Sequence, residues 1–237
     1  MELKNSRCVI VDAEEAGLTP EGALTEDAGK AVREAAGLSI PVILTAEPAF
    51  CSLPEGLRKA DGISYIVSSD GAAIHNAKTG EKIHERLMGG NDVRALLNRL
   101  GHFFVEGQIV YEAVAGDVCH ATEMFAQDPA AFGVPADMVE QIRKTRIPEK
   151  YMIDFIFKYA DELESIEILI KDSMLDTIVE NQIKMVHAEL RSMHPKLTKY
   201  NQLKILHRDA DKSSAVQFIL EELGIGAEET FRFSRQS

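Results

Sequence analysis

The stretch Arg7-Cys8-Val9-Ile10-Val11-Asp12-Ala13-Glu14-Glu15-Ala16-Gly17-Leu18 decides how the chain is read. Its first half is a short apolar run that predicts a buried strand, Cys8 to Val11, closing on Asp12. In parallel α/β sheets, ligands sit outside the carboxyl ends of the strands, so Asp12 stands where chemistry usually happens. Glu14 follows two residues later, and an extended turn of that spacing can aim both carboxylates at one point. Two readings stay open on these residues alone. Either Asp12 and Glu14 work as a pair, or Asp12 ends a strand and Glu14 and Glu15 are solvated loop charges.

Working outward, Thr25-Glu26-Asp27 looks like a helix start with acids in the first turn, and Gly37 like its stop. A helix over 28–36 and a strand over 40–44 ending at Thr45 make a strand-helix-strand unit, so its two strands should be parallel neighbours. A second helix is predicted over 54–61 and a third strand over 64–67. Asp70-Gly71 and Thr79-Gly80, with alternating residues between, predict a β-hairpin. A domain seam is placed after it, near 86–91.

A second α/β segment follows. Helices are predicted over 92–100, 121–126, 136–143 and 148–159, and strands over 108–113, 117–121 and 166–170. The spacing of Leu175, Ile178, Val179, Ile183, Val186 and Leu190 predicts an amphipathic helix over 173–191, with these residues in the core. The last segment reads as a strand over 202–206, a polar loop from His207 to Ser214, a helix over 215–223 and a strand over 229–234.

With 237 residues the chain has room for two domains, or one with a large insertion. A formal charge of −12 argues against duplex nucleic acid and anionic membrane as partners. A small phosphorylated ligand is compatible with it if a local cation does the work. Three cysteines at unrelated spacings, Cys8, Cys51 and Cys119, predict neither a disulfide framework nor a zinc site. The seven histidines show no ligand spacing and are expected to be surface or core residues, although His207 and Arg208 lie close to Lys212 in sequence. With no apolar leader in Met1-Glu2-Leu3-Lys4-Asn5 and no stretch of membrane-spanning length, a cytoplasmic location is expected.

The order of pieces resembles the haloacid dehalogenase-like (HAD) superfamily, and within it the Cof-type phosphatases that carry a cap. The match runs from Cys8 to Thr230. Ser69-Asp70-Gly71-Ala72-Ala73-Ile74 is similar to that branch's Asn-Gly-Ala segment, and Lys212-Ser213-Ser214-Ala215 to its lysine loop. The resemblance implies an α/β fold: a Rossmann-like core, a parallel sheet with helices on both faces, interrupted by an α/β cap. The core is expected over 1–87 and 192–237, and the cap over 88–191. It also implies Mg2+-dependent hydrolysis of small phosphorylated metabolites through an aspartyl-phosphate. Asp12 then matches the nucleophile, Glu14 the acid/base, and Thr45, Ala46 and Lys212 the phosphate-binding residues. Asp12 and Glu14 would hold the metal.

The chain departs from the family pattern at several points. The family's Asp-x-Asp-Gly-Thr is here Asp12-Ala13-Glu14-Glu15-Ala16, and its Thr-Gly-Arg is Thr45-Ala46-Glu47. Its acidic metal loop, Gly-Asp-x-x-Asn-Asp, falls where Ser234-Arg235-Gln236-Ser237 stand, so the core is expected to be truncated at its C-terminal side. Magnesium is held by carboxylates and water, and losing that loop leaves a crippled site. The expected consequence is a phosphatase whose activity is weak or lost. The alternative is a non-catalytic protein that binds a ligand or partner on a phosphatase fold. The last strand would be an exposed edge, guarded by Arg232 and Arg235 or covered by a homo-oligomer.

Overall fold

The computed structural model describes residues 3–19, 22–100, 109–170, 181, 192–197 and 202–233. The chain divides into two compact units, Met1–Glu85 with Ala210–Ser237, and Arg86–Asp209. The first unit opens with strand β1 (Cys8–Asp12), a single helical turn α1 (Ala13–Ala16), helix α2 (Glu26–Gly37) and strand β2 (Val42–Thr45). A turn α3 (Glu55–Arg58) leads to β3 (Tyr65–Ser68), β4 (Ala73–Asn76) and β5 (Lys82–Glu85). The second unit contains α4 (Gly90–Leu100), β6 (Ile109–Ala115), β7 (Val118–Thr122), α5 (Glu123–Gln127) and α6 (Ala136–Thr145). It continues with β8 (Arg146–Glu149), α7 (Met152–Lys158), β9 (Leu163–Ile170), β10 (Met193–Leu197) and β11 (Gln202–His207). The first unit is completed by α8 (Lys212–Leu223) and β12 (Thr230–Phe233).

The first sheet has the order β12-β1-β2-β3-β4-β5. Strands β12, β1, β2 and β3 are parallel, and β3, β4 and β5 form an antiparallel meander. Its central strands β1 and β2 are apolar runs because both of their faces are covered. Val9, Val11, Val42, Leu44 and Ile66 pack against Ala28, Val32 and Ala35 of α2. Cys8, Ile10, Ile43 and Val67 point the other way, onto Ala215, Val216, Ile219 and Leu220 of α8. The spacing of Ala28, Val32 and Ala35 puts them on one helical stripe, and two of the three are alanines, so the helix needs little room over the sheet.

The second sheet has the order β10-β11-β9-β6-β7-β8 and is antiparallel except for β7 with β8. Ile109, Tyr111, Ala113, Ile166, Ile168, Leu203 and Ile205 share one face with the buried stripes of α4 and α7. Val110, Ala121 and Leu169 share the other with Phe125, Val134 and Ile142. That second face also buries charge: Arg146 Nε donates to Glu112 Oε1 at 2.6 Å, with side-chain exposures of 12% and 7%.

Several sequence expectations are corrected. The second domain boundary falls at 209/210 rather than 191/192. The reason is pairing: β11 runs antiparallel to β9, from Gln202↔Leu169 to Leu206↔Ser165, and β10 pairs with β11. The strand over 202–206 is therefore a strand of the inserted unit. The first boundary lies at 85/86, two residues before the expected one. Residues 146–149 are a strand instead of the start of a helix, and β10 was not expected. Pro148 is tolerated because β8 is the edge strand of this sheet, where a missing N–H breaks no ladder. The helix predicted over 54–61 shrinks to α3. The helix predicted over 173–191 lies outside the described residues, except for Asn181, as do residues 234–237. No described helix is long and apolar enough to cross a membrane.

Candidate active site

The site is built at the carboxyl ends of two adjacent parallel strands. Register pairs Asp12 at the end of β1 with Thr45 at the end of β2. Thr45, almost fully buried at 3% exposure, donates its hydroxyl to Asp12 Oδ2 at 2.7 Å. Asp12 also caps the turn that follows it. Its Oδ1 accepts the amides of Glu14 and Glu15, both at 3.1 Å. The cap folds the chain back, and it places Glu14 in the first turn of α1 instead of along the strand direction. Glu14 Oε1 then accepts the backbone amide of Glu47 at 3.0 Å.

Lys212 completes the group. It is the first residue of α8, and its Nζ donates to Asp12 Oδ2 at 2.7 Å and to Glu14 Oε2 at 2.6 Å. The helix starts three residues earlier than the sequence suggests because Asp211 caps it, with Oδ1 accepting from Ser214 N at 2.9 Å. The backbone under Lys212 is walled in by Ser69-Asp70-Gly71. Asp70 and Gly71 have φ of 54° and 100°, and a Cβ on Gly71 would collide with the Asp211 carbonyl and lie 2.8 Å from Lys212 N. Asp70-Gly71 was legible as turn chemistry, but its role as the wall behind the lysine was not.

The two carboxylates differ in character. Burial alone would raise Asp12, but hydrogen bonds from Lys212 and Thr45 outweigh it and hold the carboxyl below its ordinary range. For Glu14 burial prevails over the Lys212 bond, and the carboxyl is raised. Burial would lower Lys212; its bonds to Asp12 and Glu14 reverse this and raise it, so it stays an ammonium. One group is kept ionised and its neighbour is eased towards the protonated form, a pairing suited to a nucleophile and an acid.

Asp12, Glu14, Thr45 and Lys212, all singled out from sequence, are thus brought together within the first unit. Ala46 stands beside them, but its amide donates to Val67 O at 2.9 Å, as the ladder requires, and so offers an anion no unused donor. The amide of Glu47 was not anticipated, and nothing in the side-chain pattern announces it. Among the histidines, His75, His84 and His120 stack on Phe50, Phe218 and Phe155. His207 Nδ1 accepts the Asp209 amide at 3.1 Å and belongs to the other unit.

A family model described as haloacid dehalogenase-like hydrolase matches residues 10–233. The chain belongs to that family. Among solved structures, a haloacid dehalogenase-like hydrolase from Bacteroides thetaiotaomicron is similar at 13% identity and a TM-score of 0.73, covering 96% of this chain and 80% of its own. One from B. subtilis is 15% identical with a TM-score of 0.68, over 95% of this chain and 82% of its own. A sugar phosphatase of HAD subclass IIB is 14% identical with a TM-score of 0.63, over 96% and 80%. At these identities the likeness shows the fold. No curated protein matches the sequence.

Phosphotransferases of this haloacid dehalogenase-like superfamily generally use Mg2+. Magnesium takes a near-octahedral shell of hard oxygens, with one or two carboxylates and water. Asp12 and Glu14 are of the right type. All four of their oxygens, however, accept hydrogen bonds from the protein, and one tethered ammonium sits on both. A dication sharing Oδ2 with that ammonium would lie about 5 Å from it, and the two would repel by roughly 7 kcal/mol at an effective dielectric of ~20. Among the described residues no group of three His, Cys, Asp or Glu is placed to hold a metal ion. The described residues, as arranged, do not fit magnesium. The expectation that Asp12 and Glu14 serve as its ligands is replaced by an ion pair centred on Lys212.

Proposed function

We propose that this haloacid dehalogenase-like chain is a slow phosphatase of small phosphorylated metabolites, sugar phosphates among them, acting through a phosphorylated Asp12. The observation that carries this reading is geometric: the Asp12 and Glu14 carboxylates converge on one ammonium, with the Thr45 hydroxyl on Asp12; a lowered Asp12 and a raised Glu14 accord with it. Asp12 attacks phosphorus, and the bond to the leaving oxygen breaks as that oxygen takes the proton of Glu14. Water then attacks the phosphorus of the aspartyl-phosphate and gives its proton to Glu14. Phosphate departs and the Asp12 carboxylate is restored. Lys212 spreads the charge of the transferred group, and Thr45 fixes the attacking carboxylate. Slowness follows from charge: with Glu14 protonated, Asp12 and Lys212 cancel, so the site offers the incoming dianion no net positive charge, and phosphoryl transfer depends mostly on neutralising it.

The sugar-phosphate part of the proposal leans on the similarity to the subclass IIB sugar phosphatase. The test is hydrolysis of p-nitrophenyl phosphate and a panel of sugar phosphates, with Asp12→Asn as control. Turnover that disappears in the control supports the reading. No turnover, in a sample whose thermal melt shows a folded protein, overturns it and leaves a protein that binds without chemistry.

A further inference from the structure

Three observations converge on Lys212. Its Nζ bridges Asp12 Oδ2 and Glu14 Oε2 at 2.7 and 2.6 Å, so one cation serves both carboxylates. The other carboxylate oxygens are held by the amides of Glu14, Glu15 and Glu47. The backbone that carries the ammonium has little freedom. It is the capped start of a twelve-residue helix, and Gly71 is packed onto the Asp211–Lys212 peptide so closely that a methyl group would not fit.

We propose that the Lys212 ammonium takes the place of the divalent cation in this chain: the site binds no Mg2+ at millimolar concentrations, and its anion chemistry is metal-independent. The physical reason is competition at fixed geometry. A metal must displace an ammonium that is covalently tethered, hydrogen-bonded to both would-be ligands and unable to withdraw with its backbone. The inference rests on reading the site as one that handles phosphate, but its test does not.

The experiment titrates Mn2+, followed by its EPR signal, and Mg2+, by calorimetry, into the wild-type chain and into Lys212→Met. Methionine keeps an unbranched side chain, one atom shorter, and removes the charge. The wild type is expected to leave the Mn2+ signal unbroadened and to give no Mg2+ heat. Lys212→Met is expected to bind either ion at least ~100-fold more tightly, because it frees two carboxylates that already converge. Mg2+ binding by the wild type at millimolar or lower concentration overturns the proposal, whether or not the variant folds. A folded Lys212→Met that binds no better than wild type overturns it too.

Hydrolysis of p-nitrophenyl phosphate, measured in EDTA and again in Mg2+, keeps the two readings apart. Equal turnover in both supports each of them. Turnover that requires Mg2+ overturns metal independence and leaves the phosphatase. Absence of turnover together with absence of metal binding overturns the phosphatase and supports the Lys212 inference.

Discussion

Thr45→Val tests the electrostatic heart of the site with the smallest change of shape. Valine replaces a hydroxyl by a methyl at a residue that is 3% exposed, so the sheet is undisturbed and water has no easy route to substitute. What is lost is a 2.7 Å bond to Asp12 Oδ2. A hydrogen bond to a charged group contributes about 1.5–3 kcal/mol. Asp12 keeps 20% exposure of its side chain, so solvent recovers part of this, and the expected cost is roughly 1–2 kcal/mol at neutral pH. The sign of the pH dependence follows. Asp12 is lowered in the folded state, so its stabilisation is present above the unfolded value of about 3.9 and is lost as pH falls through the folded value. In the variant that shift is smaller. The two proteins should therefore differ most near neutrality and converge in acid. Urea denaturation over a series of pH values reads this directly. A deficit below ~0.5 kcal/mol at neutral pH, or one that stays flat into acid, refutes the argument.

Glu14→Gln should lower turnover on p-nitrophenyl phosphate by about 10²–10⁴-fold. In the wild type, the rate should fall as pH rises through the raised Glu14 value, a limb that the variant lacks. Gly71→Ala and Gly116→Ala form a controlled pair under urea. Both glycines have positive φ, but a Cβ at Gly116 meets nothing within 4 Å, while one at Gly71 strikes the Asp211 carbonyl. The former should cost about 1 kcal/mol from backbone conformation alone; the latter should cost at least about 2 kcal/mol more. Arg146→Met should destabilise by about 3–5 kcal/mol by leaving Glu112 buried without its guanidinium. Adding Glu112→Leu should recover most of that loss, and strictly additive losses in the double variant would refute the account.

The fold was legible where burial is two-sided. The runs Cys8–Val11 and Val42–Leu44 could only be strands covered on both faces, and α2 between them set them parallel. The meander after β3 was legible from Asp70-Gly71 and Thr79-Gly80. The return from the inserted unit was not. Leu203 and Ile205 would suit either sheet, and only their pairing with β9 assigns them. The strand β8 was hidden because Pro148 reads as a helix start, and only the sheet edge makes it acceptable. At the site, Asp12 and Glu14 were visible from type and order, and Thr45 and Lys212 only through the family resemblance. The backbone donors Glu15 and Glu47 carry no sequence signal, because every residue but proline has an amide.

The extra methylene of Glu14 has a structural meaning in this setting. Because Asp12 caps α1, the residue two positions on begins inside a helical turn and points away from the strand axis. From there, Glu14 spans from the Glu47 amide on one oxygen to the Lys212 ammonium on the other. An aspartate at this position would be one carbon shorter and would have to give up one of the two, leaving either a half-buried amide or a half-buried ammonium less well satisfied. The glutamate, the lysine and the walled-in helix start are thus mutually dependent. The arrangement is a closed ion-pair network with its own internal cation, and its stability opposes the opening that a metal ion would require.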